Sequence, residues 1–205
     1  MRKNKYIKPI LILLVICILG NIYYTFNMKT NSDKRYIYKE NFLEQDDYNK
    51  LLKELSLYNE RLNNSKEISS NLIRYNLEID TNSTNSLNPV TIILKKYEPM
   101  IKQLTHNQAI HLANNFPIEY RKYVPGSFMQ KHRDTLIYKM PQYECVLTLS
   151  NTTDSVTNME DTPIKALPNS LIIVKALGVE HEVTKVTKGE RKFLKFIFTE
   201  TDERV

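Results

Sequence analysis

From Ile118 onward the sequence breaks into short runs rich in β-branched and aromatic residues, at 118–123, 127–137, 143–150, 170–176, 181–186 and 191–199. Ahead of them the apolar period is helical. Leu51, Leu52, Leu55, Leu57 and Tyr58 approximate a 3.6-residue stripe in a segment that opens at Asn41. A second helix is expected from about Val90 to Leu104, with Ile92, Ile93, Tyr97 and Ile101 on one side and Pro99 as a kink or break. A short third helix is expected over 107–115, stopped before Pro117, and Asp80 to Pro89 has the composition of a loop. Helices first and strands afterwards predict an α+β domain, a sandwich or barrel of antiparallel strands backed by helices.

The stretch from Lys5 to Phe26 carries no charge after Lys8 and at helical rise spans roughly the hydrocarbon thickness of a bilayer. It predicts a transmembrane signal anchor over 1–26, a polar linker over 27–36 and one folded domain over 37–205. Cleavage is disfavoured because Ile18, two positions before Gly20, is a poor match to a processing site. Arg2, Lys3, Lys5 and Lys8 favour the N-terminus inside and a type II protein. Its domain would lie in the ER or Golgi lumen, or on the far side of a viral or cellular membrane. The acceptor triplets at Asn63, Asn82 and Asn151 fit that placement. Much of the formal charge of +6 sits in this N-tail, so the basic balance gives no support to a nucleic-acid partner. With only Cys17 in the apolar run and Cys145 in a strand, no disulfide framework is expected.

The chemistry concentrates in the strand region. His132 and Asp134 are alternate residues of a strand, so both side chains can converge on one ion. His181 supplies a third ligand, and two histidines with one carboxylate form the ligand set of non-haem Fe(II) oxygenases. Arg191 follows a glycine turn at Gly189, and its guanidinium has the fork geometry to grip the far end of a dicarboxylate. Tyr123 precedes a Pro-Gly turn at Pro125 and Gly126 that returns the chain toward His132. Thr148 either faces a co-substrate or is an ordinary strand threonine. His106 and His111 fall on the helical side as surface or packing residues, and Cys145 reads as a small buried residue.

The segment from Tyr123 through Gly126 to His132 and Asp134, followed by His181, Val183, Val186, Gly189 and Arg191, resembles the prolyl 4-hydroxylase-like branch of the Fe(II)- and 2-oxoglutarate-dependent dioxygenases. The match is specific at these motifs and extends more loosely over residues 37–200. It implies a double-stranded β-helix, or jelly roll, with N-terminal supporting helices. It also implies Fe(2+) on His132, Asp134 and His181, 2-oxoglutarate held by Arg191 and touched by Tyr123, and L-ascorbate as reductant. The substrate it implies is a protein or peptide, with a prolyl side chain hydroxylated; a lysyl or other side chain is the alternative. Two departures stand out. Asn151 to Ser155 replaces a Gly-Gly-x-Thr element, and Phe193 and Lys195 share the Arg191 face where relatives often carry smaller or uncharged side chains. The rival reading is a catalytically silent jelly-roll membrane protein used for binding, which has no chemical need of the ligands. A nucleic-acid demethylase fits an anchored chain poorly, and a closed zinc site normally includes cysteine.

Overall fold

The expected helix forms, but its stripe narrows to Leu51 and Leu55: Leu52 is exposed, and Leu57, also exposed, and Tyr58 lie past its end. In the computed structural model, which describes residues 36–81, 88–139 and 141–205, Leu51 and Leu55 are the buried face of α1 (Gln45–Ser56). Asp46 and Asp47 stand in its first turn, where carboxylates complement the helix dipole. After the short α2 (Asn59–Asn63), the second expected helix is divided in two: α3 (Pro89–Lys96) and α4 (Glu98–Thr105) meet at Tyr97. Pro99 lies in the first turn of α4, where its missing N–H has no intrahelical partner to lose. Asn88 caps α3 by accepting from the Val90 amide at 2.9 Å. The predicted anchor over 1–26 and nearly all of the predicted linker over 27–36 lie outside the described residues. Among the described residues no helix is long and apolar enough to cross a membrane.

The third expected helix, over 107–115, does not form. His106 closes α4 in the left-handed region at φ 53°, and the chain then turns into β4 (His111–Leu112), which pairs with the last strand. The remaining strands are β1 (Tyr36–Lys39), β2 (Lys66–Ile68), β3 (Leu72–Ile79), β5 (Ile118–Tyr123), β6 (Phe128–His132), β7 (Gln142–Asn151), β8 (Thr157–Met159), β9 (Thr162–Ile164), β10 (Ser170–Lys175), β11 (His181–Val183) and β12 (Arg191–Thr199). β1, the β2–β3 hairpin, β8 and β9 are additions to the strands expected from the sequence, and two expected strands are shorter, 128–132 against 127–137 and 181–183 against 181–186.

All pairings are antiparallel. One wall runs β1-β10-β7-β12-β5-β3 and the other β6-β11-β8-β9, with β3 joining them through separate halves that pair β5 and β6. Alternation assigns each strand one face to each side. Cys145, Leu147 and Leu149 of β7 and Leu194, Phe196 and Phe198 of β12 pack toward Leu51, Leu55, Leu94 and Ile101 of the helices in the main core. The opposite faces of the same strands turn into the space between the walls, so the curled sheet is a jelly roll with helices outside and a lined cavity inside.

Asp47 joins α1 to the α3–α4 corner, accepting from Lys96 Nζ at 2.5 Å and from the Tyr97 hydroxyl at 2.8 Å. The Lys96 hydrogen bond, then that from Tyr97, holds its carboxyl below the ordinary value of 3.8. A carboxyl lowered on folding stabilises above its unfolded value and loses that contribution as pH falls through the folded value. Asp47→Asn should therefore lower the melting temperature at pH 7, and the gap from wild type should close in melts run below pH 3.8.

Candidate active site

Antiparallel register does the first assembly step. The end of β6 lies against the start of β11 with His132 directly opposite His181, and the two rings stand 4.4 Å apart by centroid. Asp134, two residues beyond β6, is anchored through its carbonyl, which accepts from the Leu177 amide at 3.0 Å. Its two oxygens then face the two rings separately. His132 Nε2 lies 3.8 Å from Oδ1 and His181 Nε2 lies 3.6 Å from Oδ2, both beyond hydrogen-bond range.

The ring nitrogens are oriented from behind. His132 Nδ1 donates to the Gln130 carbonyl at 2.8 Å and His181 Nδ1 to the Val179 carbonyl at 3.3 Å. A carbonyl only accepts, so each Nδ1 carries the proton and each Nε2 presents a lone pair. Donor atoms from all three residues lie within 4.8 Å of one another, and this is the one such group of three among the described residues. Two imidazole nitrogens and a carboxylate, oriented by outer hydrogen bonds and half-buried, fit a ferrous ion with positions left open for other ligands. The electrostatics agree. The facing Asp134 carboxylate raises the His132 imidazole above its ordinary value, while burial lowers His181. Burial pushes Asp134 up, but His132, His181 and Lys195 outweigh it and the carboxyl ends below its ordinary value.

Arg191 lines the same cavity at the first position of β12. It is 3 % exposed, with Nη1 donating to the Thr157 hydroxyl at 3.0 Å and Nη2 to the Thr148 hydroxyl at 3.1 Å. Its Nε has no partner, and no carboxylate of the described residues is within ion-pair distance. Burial lowers its pKa to about 10, the signature of a guanidinium lacking a counter-charge. A buried cation held only by neutral hydroxyls is the complement of an anion, and its fork suits a carboxylate.

The other expected residues fall around this pair of features. Thr148 touches Arg191 directly. Tyr123 is opposite Arg191 in register, fully buried, with its hydroxyl donating to Met129 Sδ at 3.7 Å and its ring edge on Phe193. Thr157 was not marked in the sequence, because it opens a three-residue strand in a polar stretch with no alternation to reveal it. His106 and His111 lie outside the cluster, His111 Nε2 being 3.3 Å from Asp202. Asn151 is committed to the fold: its amide nitrogen donates to the Ala166 carbonyl at 2.8 Å and its oxygen accepts from Thr153.

The segment 151–155, which departs from the resembled family, is fastened to the approach of Arg191. The Asp154 carboxylate accepts from the amides of Thr187 and Lys188 at 3.0 and 3.2 Å and from the Thr187 hydroxyl, while Thr152 and Glu190 exchange amide hydrogen bonds with each other's oxygens. Gly189 lies between, at φ +80°, and a Cβ there would stand 2.2 Å from the Thr152 carbonyl oxygen. Gly126, at φ +93°, has open space around its Cβ position. Gly189→Ala should cost more than the roughly 1 kcal/mol that a positive φ alone imposes, whereas Gly126→Ala should cost about that much. Denaturant unfolding of the two variants measures the difference, and equal losses would contradict the close packing at Gly189.

No protein-family model matches the sequence, and no curated protein matches it. Solved structures do share its fold. A prolyl-4-hydroxylase from Pseudomonas putida superposes with a TM-score of 0.61 at 15 % identity, over 83 % of this chain and 95 % of that one. A prolyl hydroxylase from Trichoplax adhaerens, in complex with a hypoxia inducible factor peptide fragment, gives 0.60 at 13 % identity over 84 % and 86 %. HygX from Streptomyces hygroscopicus, with nickel, 2-oxoglutarate and hygromycin B bound, gives 0.57 at 10 % over 84 % and 85 %. The resemblance read from the motifs at Tyr123–Asp134 and His181–Arg191 thus finds its counterpart in three dimensions: the chain has the fold of prolyl hydroxylases and 2-oxoglutarate Fe(II) oxygenases.

Proposed function

We propose that the domain is an Fe(II)- and 2-oxoglutarate-dependent dioxygenase that hydroxylates a peptide side chain, with proline the first candidate residue. The observation that carries this reading is the pairing, in one cavity, of an oriented His-Asp-His donor set with a buried guanidinium that has no counter-anion. A scaffold used only for binding has no need of either feature, and a buried unpaired charge is costly to keep.

Ferrous iron, when bound by His132, Asp134 and His181, supplies the O2 chemistry that couples oxidative decarboxylation of 2-oxoglutarate to C–H hydroxylation. The chain's own contribution is positional and electrostatic. The Gln130 and Val179 carbonyls hold both imidazoles in the ligating tautomer. Arg191 receives the distal carboxylate of the co-substrate, with Thr148 and Thr157 fixing the plane of the guanidinium. Tyr123, Val183, Val186 and Phe193 pack together around that end and exclude water, which strengthens the ion pair. Phe193 also lies under the guanidinium, 4.9 Å from its carbon to the ring centroid.

The peptide reading is supported by the motif resemblance and by the fold shared with a prolyl hydroxylase solved with a peptide fragment. The fold is also shared with HygX, solved with hygromycin B, and stimulation of turnover by peptide distinguishes a peptide substrate from a small molecule of that kind.

Full-length protein supplied with ferrous iron, ascorbate and carboxyl-labelled 2-oxoglutarate should release labelled CO2, stimulated by proline-containing peptides, and His181→Ala should abolish the release. Arg191→Met should weaken 2-oxoglutarate binding by about 10- to 100-fold, the loss of a charge-assisted pair, while nickel affinity stays unchanged. CO2 release equal in wild type and His181→Ala would sink the enzymatic reading.

A further inference from the structure

Lys195, Glu144 and Arg121 line the part of the cavity that lies farther along β12 from Arg191, and Glu119 pairs with Lys195 and Arg121. Arg191, Phe193 and Lys195 all reach the cavity, and four residues of strand carry Lys195 about 13 Å from Arg191 by backbone rise. The Lys195 ammonium stands 2.8 Å from Glu144 Oε2 and 3.7 Å from Glu119 Oε2. Glu119 Oε1 in turn accepts from Arg121 Nη2 at 2.7 Å. Lys195, Glu144 and Arg121 line the same cavity as His132, Asp134 and His181.

This ladder is balanced, two carboxylates against two cations, so it offers no net charge to a ligand. Nor is such a network a strong source of stability: the wall beside it is apolar, formed by Val146, Ile172 and Val174, and replacing a buried ion-pair network by apolar side chains of similar volume is often neutral or stabilising. What the ladder does provide is a fixed donor. An ammonium has three N–H groups, and although Glu144 and Glu119 hold it at ion-pair distance, neither Glu144 Oε2 nor Glu119 Oε2 accepts a hydrogen bond, so its N–H groups are available to an acceptor in the cavity.

A peptidyl proline has no amide N–H of its own, and the polar groups next to its ring are two backbone carbonyls, which only accept. We propose that Lys195 is a substrate-binding residue that donates to one of these carbonyls, with Glu144 and Glu119 holding the ammonium in place. The proposal rests on the peptidyl-hydroxylase reading and names a specificity residue within it. The chemical class it selects is an acylated amino acid or peptide whose carbonyl stands beside the oxidised residue, in preference to an apolar ring alone.

The test is a calorimetric titration of the full-length protein, loaded with nickel and 2-oxoglutarate, with N-acetylproline methylamide and its two alkene isosteres, each lacking one carbonyl. Wild type should bind the parent about tenfold more tightly than one of the isosteres, the worth of a hydrogen bond to a charged donor. Lys195→Met should lose that preference, and Lys195→Arg, which keeps a donor, should retain most of it. A merely structural lysine would leave the ranking of the probes unchanged. Equal binding of the three probes by wild type, or a full preference retained in Lys195→Met, overturns the role of Lys195. Failure of wild type to take up nickel and 2-oxoglutarate would instead overturn the underlying dioxygenase reading, so the two failures are distinguishable.

Discussion

The antiparallel contact between the end of β6 and the start of β11 is the constraint on which the candidate site depends. It sets His132 opposite His181, and Asp134 reaches both rings only because the chain leaves β6 with its carbonyl tied to Leu177. A one-residue slip in such a register would turn every side chain of one strand to the other face. Here the slip is resisted from two sides. Val183 packs with Tyr123, Val186 and Phe193, and the Gly126 amide and the Ser127 carbonyl both bond to Val186 just beyond the strand. The packing that closes the cavity near Arg191 therefore also fixes the distance between the candidate metal ligands.

Charge is distributed along the cavity in a way that packing alone does not explain. Arg191 lacks an anion, the ligand cluster carries one carboxylate between two imidazoles, and the ladder of Lys195, Glu144, Glu119 and Arg121 is internally balanced. The carboxyl of Glu144, buried and near Asp134, is pushed above its ordinary value, first by desolvation. In Glu119 the burial effect is outweighed by Arg121 and Lys195, and its carboxyl falls below the ordinary value. These groups remain tolerable inside the barrel because each has a partner of opposite sign. Arg191 is the exception, and exceptions of this kind accompany ligand sites.

Much of the site was legible because its residues lie at period-two positions beside turns. The His132-x-Asp134 spacing pointed to one ion by strand alternation, although β6 ends at His132 and Asp134 reaches the ion position from the chain beyond it, and Arg191 was marked by the glycine turn before it. The α+β architecture followed from the change of period at Ile118. What the sequence concealed has short range or long reach. Residues 107–115 have helical composition, but β4 is won by pairing Leu112 with Phe198, a contact made 86 residues away. Thr157 comes to Arg191 across a polar loop whose course depends on Asp154 and Thr152 gripping the 187–190 turn. The β2–β3 hairpin was hidden for a different reason: most of Leu72–Ile79 is half-buried on both faces, so no clean alternation marks it.

The central claim is that the His-Asp-His cluster and Arg191 form one composite site, in which metal and dicarboxylate bind together. A metal that coordinates the dicarboxylate raises its affinity, and by linkage the dicarboxylate raises that of the metal by the same factor. Calorimetric titration of 2-oxoglutarate into the full-length protein, with and without one equivalent of nickel, measures that coupling directly. The structure predicts a single 2-oxoglutarate site whose affinity rises at least tenfold when nickel is present; an affinity indifferent to the metal would contradict it.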